Sequence, residues 1–148
     1  MGTNQSDSKD EDIFNLMVFV YRKLAKPFED CFKGEFTSLQ LNALCILCTD
    51  GPTTMSNLAA SLHATPQQMS KMVEKLYEEG HIVRSADPRD RRKICISVSD
   101  TTAKRILGGR EKFVASLKNT IQEFNKEDDE DFQTAIHLVN RILTKFPQ

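Results

Sequence analysis

The sequence has none of the marks of a membrane or secreted protein. No stretch approaches the ~20 consecutive apolar residues of a membrane span. The N-terminus has no signal-peptide pattern. The expected location is the cytoplasm, with no membrane partner. The four cysteines (Cys31, Cys45, Cys48, Cys95) are then expected to be reduced. Catalytic signatures are missing as well: there is no Gly-rich phosphate loop, no H-E-x-x-H and no G-x-S-x-G. The carboxylates fall on faces predicted to be exposed, which suits general acid–base work poorly. No enzyme is expected. Cys45-x-x-Cys48 lacks a second ligand pair, because neither the other cysteines nor His63, His81 and His137 stand at zinc spacing. No metal and no cofactor are therefore expected. The pair also lies late in a predicted helix, whereas a redox C-x-x-C gains reactivity at a helix N-terminus, so buried thiols are the reading. Repeats and interdomain linkers are absent too.

An overall positive charge is also missing. The net charge is −1, so nucleic-acid binding has to rest on where the charges lie. From Arg84 to Lys93 five basic residues face two acidic ones. From Glu123 to Asp131 six acidic residues face Lys126 alone. Such asymmetry suggests a DNA-facing end and a remote acidic surface. Either run taken alone also fits a solvated face. Apolar residues make up 39% and charged residues 28% of 148, ordinary for one folded domain with a helical arm. The polar segment 1–10, MGTNQSDSKD, is expected to be disordered.

The rest of the chain reads mostly as helix. Apolar residues recur with helical spacing from Asp12 to Phe32. Phe14 and Val18 add a second apolar strip there, which suggests a subunit partner. Pro27 should bend or split that helix. Thr37 and Gln40 fit a capping box for a helix through Leu47, which Asp50-Gly51-Pro52 stops. Thr54 caps a short helix, and Leu62-His63-Ala64 forms a turn. Thr65 as N-cap, Pro66 at N1 and Gln68 at N3 open a second helix. Met69, Met72, Val73 and Leu76 give it a buried stripe, and Gly80 ends it. That is a helix-turn-helix. Residues 81–84 and 93–98 read as two strands around a charged tip, with Ile94, Ile96 and Val98 alternating against Cys95 and Ser97. A long helix follows from Ser99. Gly108-Gly109 in its middle implies a bend or the close approach of another backbone. Asn125 opens the closing helix, whose stripe is Phe132, Ala135, Ile136, Val139, Ile142, Leu143 and Phe146.

A helix fits the major groove of B-DNA and reads base edges with its N-terminal residues. Gln67 and Gln68 suit bidentate contact with adenine, and Lys71 suits guanine or phosphate. Thr65 and Ser70 supply hydroxyls, and Pro66 stands beside them. The alternative for this helix alone is an ordinary amphipathic helix with a polar outer face. The tip adds Arg84, Asp87, Arg89, Arg91 and Arg92. An arginine is favoured in a narrow A·T minor groove, and Arg89 is the candidate for insertion. Asp87 and Asp90 are expected to orient Arg92 and Arg91. A solvated, salt-bridged turn is the competing reading.

The run from Leu58 through T-P-x-x-M-S-K-M-V-E-K-L-Y-E-E-G-H-I-V-R to Arg84, followed by D-P-R-D-R-R at Asp87–Arg92, resembles the MarR family of transcriptional regulators. The resemblance implies a mainly α fold with a small β-hairpin. In it, a winged helix-turn-helix (37–99) lies between an N-terminal dimerisation helix (11–34) and C-terminal dimerisation helices (100–148). It implies a homodimer on double-stranded DNA with a pseudo-palindromic operator. It further implies a repressor released by a small aromatic or anionic effector or by an oxidant, with Cys31 as a redox candidate. An activator role, a protein-interaction winged helix without DNA binding, and a thiol-based redox sensor stay open. Two departures stand out. The second wing strand ends Val98-Ser99-Asp100-Thr101-Thr102 where the family has L-T-x-x-G. His81 replaces an apolar residue; a local polar contact is open to it, and a solvent-facing position is the expectation.

Overall fold

Five helices of this chain begin on a side-chain cap: Thr37, Thr54, Thr65, Ser99 and Asn125 each accept from a backbone N–H three residues on. Each such bond satisfies an amide that the helix leaves without an internal partner. The computed structural model describes residues 5–87, 90 and 93–146. Helices are α1 (Gln5–Val20), α2 (Lys26–Asp30), α3 (Ser38–Asp50), α4 (Met55–Ser61), α5 (Pro66–Glu78), α6 (Asp100–Ile121) and α7 (Lys126–Leu143). Strands are β1 (Thr53–Thr54), β2 (Ile82–Ala86) and β3 (Ile94–Val98).

Helix α1 starts at Gln5, so it takes in part of the segment whose polarity suggested disorder. The expected break at Pro27 is a change of helix type. Tyr21–Ala25 is a π-helical turn in which the Lys26 N–H donates to the Tyr21 carbonyl. Pro27 has no N–H to offer, and the widened turn before α2 absorbs that loss.

The core belongs to α3, α4, α5 and the sheet. Leu41, Leu44, Leu47, Leu58, Met69, Val73, Leu76, Ile82 and Ile96 are all buried there, together with Phe32 and Ile106 from the flanking elements. The sheet order is β1-β3-β2, antiparallel throughout. The two-residue β1 was not legible in the sequence, and it makes β3 the central strand. The expected alternation along β3 is not kept. Cys95 and Ile96 are both buried, whereas Ile94 is exposed near the wing.

Helix α6 is continuous across both glycines. What comes close is a ring and not a backbone. A Cβ built on Gly109 would lie 2.3 Å from Cζ of Phe32, while Gly108 has nothing within 4 Å. Phe32 is 1% exposed, with Phe28 and Phe36 packed on its edges. The contact seats α6 on the end of the N-terminal arm.

Candidate nucleic-acid interface

The tight turn Leu62–Ala64 sets the angle between α4 and α5, with His63 in the left-handed region at φ 48°. Helix α5 then buries Met69, Met72, Val73 and Leu76 and turns Gln67, Gln68, Ser70, Lys71, Glu74 and Lys75 outward. Its charge is graded. The first turn has no acidic residue, while Glu74, Glu78 and the C-cap Glu79 outnumber Lys75 toward the far end. Aligned peptide dipoles add partial positive charge at the same N-terminal end. A polyanion is therefore favoured at Thr65–Lys71 and disfavoured at the far end.

The capping box constrains this end further. The Thr65 N–H and Oγ1–H both donate to Gln68 Oε1, at 3.0 and 3.1 Å, while Gln68 N–H donates to Thr65 Oγ1 at 3.2 Å. Both lone pairs of the Gln68 amide oxygen are thus engaged. A bidentate adenine contact needs that oxygen and the amide nitrogen together. The sequence offered it to both glutamines; the Gln68 oxygen is taken up by the cap, while Gln67 is exposed on α5. Gln68 retains its Nε2 donors. Pro66 holds N1 of the helix and has no donor.

Arg84, offered by the sequence as a DNA contact, is engaged within the lobe. From β2 its guanidinium donates to Glu74 at 2.6 Å and lies 4.4 Å over the Tyr77 ring, both on α5. It ties the root of the wing to α5. The wing itself closes through backbone bonds from Asp87 N–H to the Lys93 carbonyl (2.9 Å) and from Lys93 N–H to the Asp90 carbonyl (2.8 Å). Asp87 Oδ1 accepts from the Asp90 N–H at 3.3 Å. Arg89, Arg91 and Arg92 lie outside the described residues.

A joint between this lobe and α6 was not legible in the sequence. His81 is not solvent-facing. Its side chain is 24% exposed, with Nδ1 3.0 Å from Thr102 Oγ1 and the ring edge-on to Phe36 at 5.0 Å. Next to it, Arg105 donates to Glu35 at 2.9 Å and to the Cys31 carbonyl at 3.2 Å, with its guanidinium over Phe32. The departure of His81 from the apolar residue usual there was the available signal. Arg105 gave none, because its partners stand some seventy positions earlier.

Beside the joint lies a cavity of about 560 Å³ among α2, α3, β3 and α6. Phe28, Leu47, Val98, Ala103, Ile106 and Leu107 give it apolar walls, and Arg110 gives it charge. Cys45 and Cys48 line it too. Cys45 is half-buried, and Cys48, expected to be buried, is exposed. Burial, with the neighbouring Cys48 adding to it, pushes the Cys45 thiol up to about 11, and burial also raises Cys48. Protonated thiols are poor nucleophiles, which weighs against oxidant sensing by this pair. Cys31 is half-buried, and its thiol donates to the Pro27 carbonyl at 3.4 Å.

Comparison with known proteins follows the same outline. Residues 36–94 match the model of the MarR family. A helix-turn-helix-type transcriptional regulator of Mycobacterium bovis is 25% identical over 73% of this chain and 76% of its own length. Among solved structures, a MarR family protein from Bacillus stearothermophilus superposes with a TM-score of 0.80 at 18% identity, covering 97% of this chain and all of that one. The transcriptional regulator BldR from Sulfolobus solfataricus gives 0.69 at 19% identity, with 97% and 100% covered.

Proposed function

We propose that the chain, whose residues 36–94 match the MarR family model, is a DNA-binding transcriptional repressor that acts as a homodimer. The observation that carries the reading is the graded α5 surface, neutral to basic at its capped N-terminus and acidic at its far end, joined to a wing by Arg84. Gln67, Ser70 and Lys71 would meet bases and phosphates in the major groove, with Thr65, Pro66 and Gln68 shaping that end. Arg89, Arg91 and Arg92 are assigned to the minor groove and backbone from the sequence resemblance.

Dimerisation is supported by the two ends of the chain. Ile13, Phe14, Leu16, Met17, Phe19 and Val20 on α1 are all exposed. Helix α7 has no buried residue, and Ile136, Val139, Ile142, Leu143 and Phe146 stand in solvent. So much exposed apolar side-chain surface on two helices is atypical of a monomer. A second copy would cover it and hold two α5 helices about 34 Å apart, one turn of B-DNA.

An effector would act at the cavity beside the joint. Occupancy there favours one setting of α6 against the lobe only if the ligand binds the two settings with different affinity. A small compound with an aromatic body and an anionic group fits apolar walls with one cation.

Selection of bound sequences from a random duplex pool tests the reading, with Arg89→Ala as comparison. The expected result is a two-fold-symmetric site, weakened by Arg89→Ala with the dimer intact and weakening further with salt as counterions are released. Failure to enrich any sequence, or binding indifferent to salt, would refute it in favour of a protein-interaction winged helix.

A further inference from the structure

One wall of the cavity is not explained by an aromatic anion. Cys45 and Cys48 both line it from adjacent turns of α3. An i, i+3 spacing sets their Cβ atoms about 5–6 Å apart on one side of the helix. A disulfide needs Cβ atoms about 3.5–4.5 Å apart. An intact α3 therefore sets the two Cβ atoms wider apart than a disulfide needs, with both side chains lining the same cavity. Among the described residues no group of three or more His, Cys, Asp or Glu is gathered that could hold a metal ion. That disfavours tetrahedral zinc, which takes four such ligands. It leaves ions that are content with two soft ligands. Among the described residues Arg110 is the only charged side chain in the lining.

We propose that Cys45 and Cys48 form a two-sulfur site for a soft monovalent cation, with Cu(I) the ion that thiolates select. In the binding step each thiol S–H bond breaks and a Cu–S bond forms in its place. The two protons pass to solvent and no electron is transferred. One monovalent cation between two thiolates leaves a net charge of −1, and the Arg110 guanidinium supplies the opposite charge in the same cavity. A divalent soft ion would give a neutral complex and make no use of Arg110. The metal site rests on the two thiols and Arg110 alone. Only its effect on DNA rests on the proposed regulatory role of the cavity.

The full-length chain is titrated with Cu(I) under anaerobic conditions against a chromophoric Cu(I) chelator, and operator binding is followed in parallel. The expected result is one tightly held equivalent per chain, with X-ray absorption reporting two sulfur neighbours. Changes one shell beyond a metal's ligands typically cost about 10–100-fold in affinity. Cys45→Ser and Cys48→Ser should each lose at least that much and Arg110→Gln about tenfold, while Cys31→Ser and Cys95→Ser bind as the parent does. No tight equivalent in the unaltered protein overturns the site, and so does retention of that equivalent in either Cys45→Ser or Cys48→Ser. If Cu(I) binds as expected and operator affinity is unchanged, the metal site stands and the regulatory role assigned to the cavity falls.

Discussion

Gly109→Ala is the sharpest test of how α6 is seated. In an exposed helix interior the change should gain about 1 kcal/mol, because alanine loses less backbone freedom on folding. Here the new Cβ falls 2.3 Å from Phe32 Cζ and 2.7 Å from Cε1, whereas carbon atoms rest about 3.5–4.0 Å apart. The ring has to move by more than an ångström or α6 has to lift. Phe28 and Phe36 hold the ring at centroid distances of 5.3 and 5.9 Å, and Arg105 lies over its face at 4.6 Å. Overpacking of this kind costs about 1–3 kcal/mol, enough to cancel or outweigh the helix gain. Gly108→Ala is the control, since nothing lies within 4 Å of the place its methyl group would take. It should keep the gain. The two variants should therefore differ by about 1–3 kcal/mol in urea unfolding at fixed protein concentration, or by several degrees in melting temperature for a domain this size. In a Phe32→Leu background the penalty at Gly109 should shrink, because neighbouring substitutions couple. Equal stabilisation by Gly108→Ala and Gly109→Ala would refute the close approach.

Arg84→Ala should weaken operator binding by loosening the wing from α5 while the dimer persists. The stability loss should stay near 1–2 kcal/mol, the sum of a partly exposed ion pair and a cation–π contact. Unchanged DNA affinity would show that the tie is not needed. Gln68→Ala should cost about 0.5–2 kcal/mol in stability through its cap. Gln67→Ala should leave stability alone and relax preference at one base pair by about 1–3 kcal/mol. The reverse pattern would overturn the reading of the capping box. Thr102→Val should cost about 1 kcal/mol by stranding His81 Nδ1, and a neutral result would remove His81 from the joint. With its thiol near 11 instead of 9, Cys45 should react with a disulfide reagent at neutral pH about a hundredfold more slowly than a free cysteine, since the thiolate is the nucleophile. Labelling as fast as the free amino acid would contradict that environment.

The helix-turn-helix was legible because its signals are local. Thr37 with Gln40 and Thr65 with Gln68 satisfy each other within one turn, and the stripe from Met69 to Leu76 repeats at helical spacing. What escaped depends on residues far apart in sequence. Strand β1 exists because β3 offers Thr53 and Thr54 a partner more than forty positions on. The tie from Arg84 to Glu74 and Tyr77 gave no signal because its spacing is not a helical or strand repeat. His81 looked solvent-facing because Phe36 and Thr102 lie on other elements. Composition suggested disorder before residue 11, but α1 extends back to Gln5. Polarity alone did not show that the segment continues a helix already begun downstream.

No side chain of helix α7 is fully buried within its own chain. An isolated helix of 18 residues is only marginally stable in water, because most helical stability in proteins comes from packing an apolar face. If a second copy supplies that packing, the folded state of α7 follows mass action. Dilution would then loosen the C-terminal arm before it disturbs the lobe, and with it the spacing between the two recognition helices. The amount of the protein in the cell becomes a variable in its own regulation: at low abundance the chain would keep its DNA-reading surface and lose the ruler that spaces two of them.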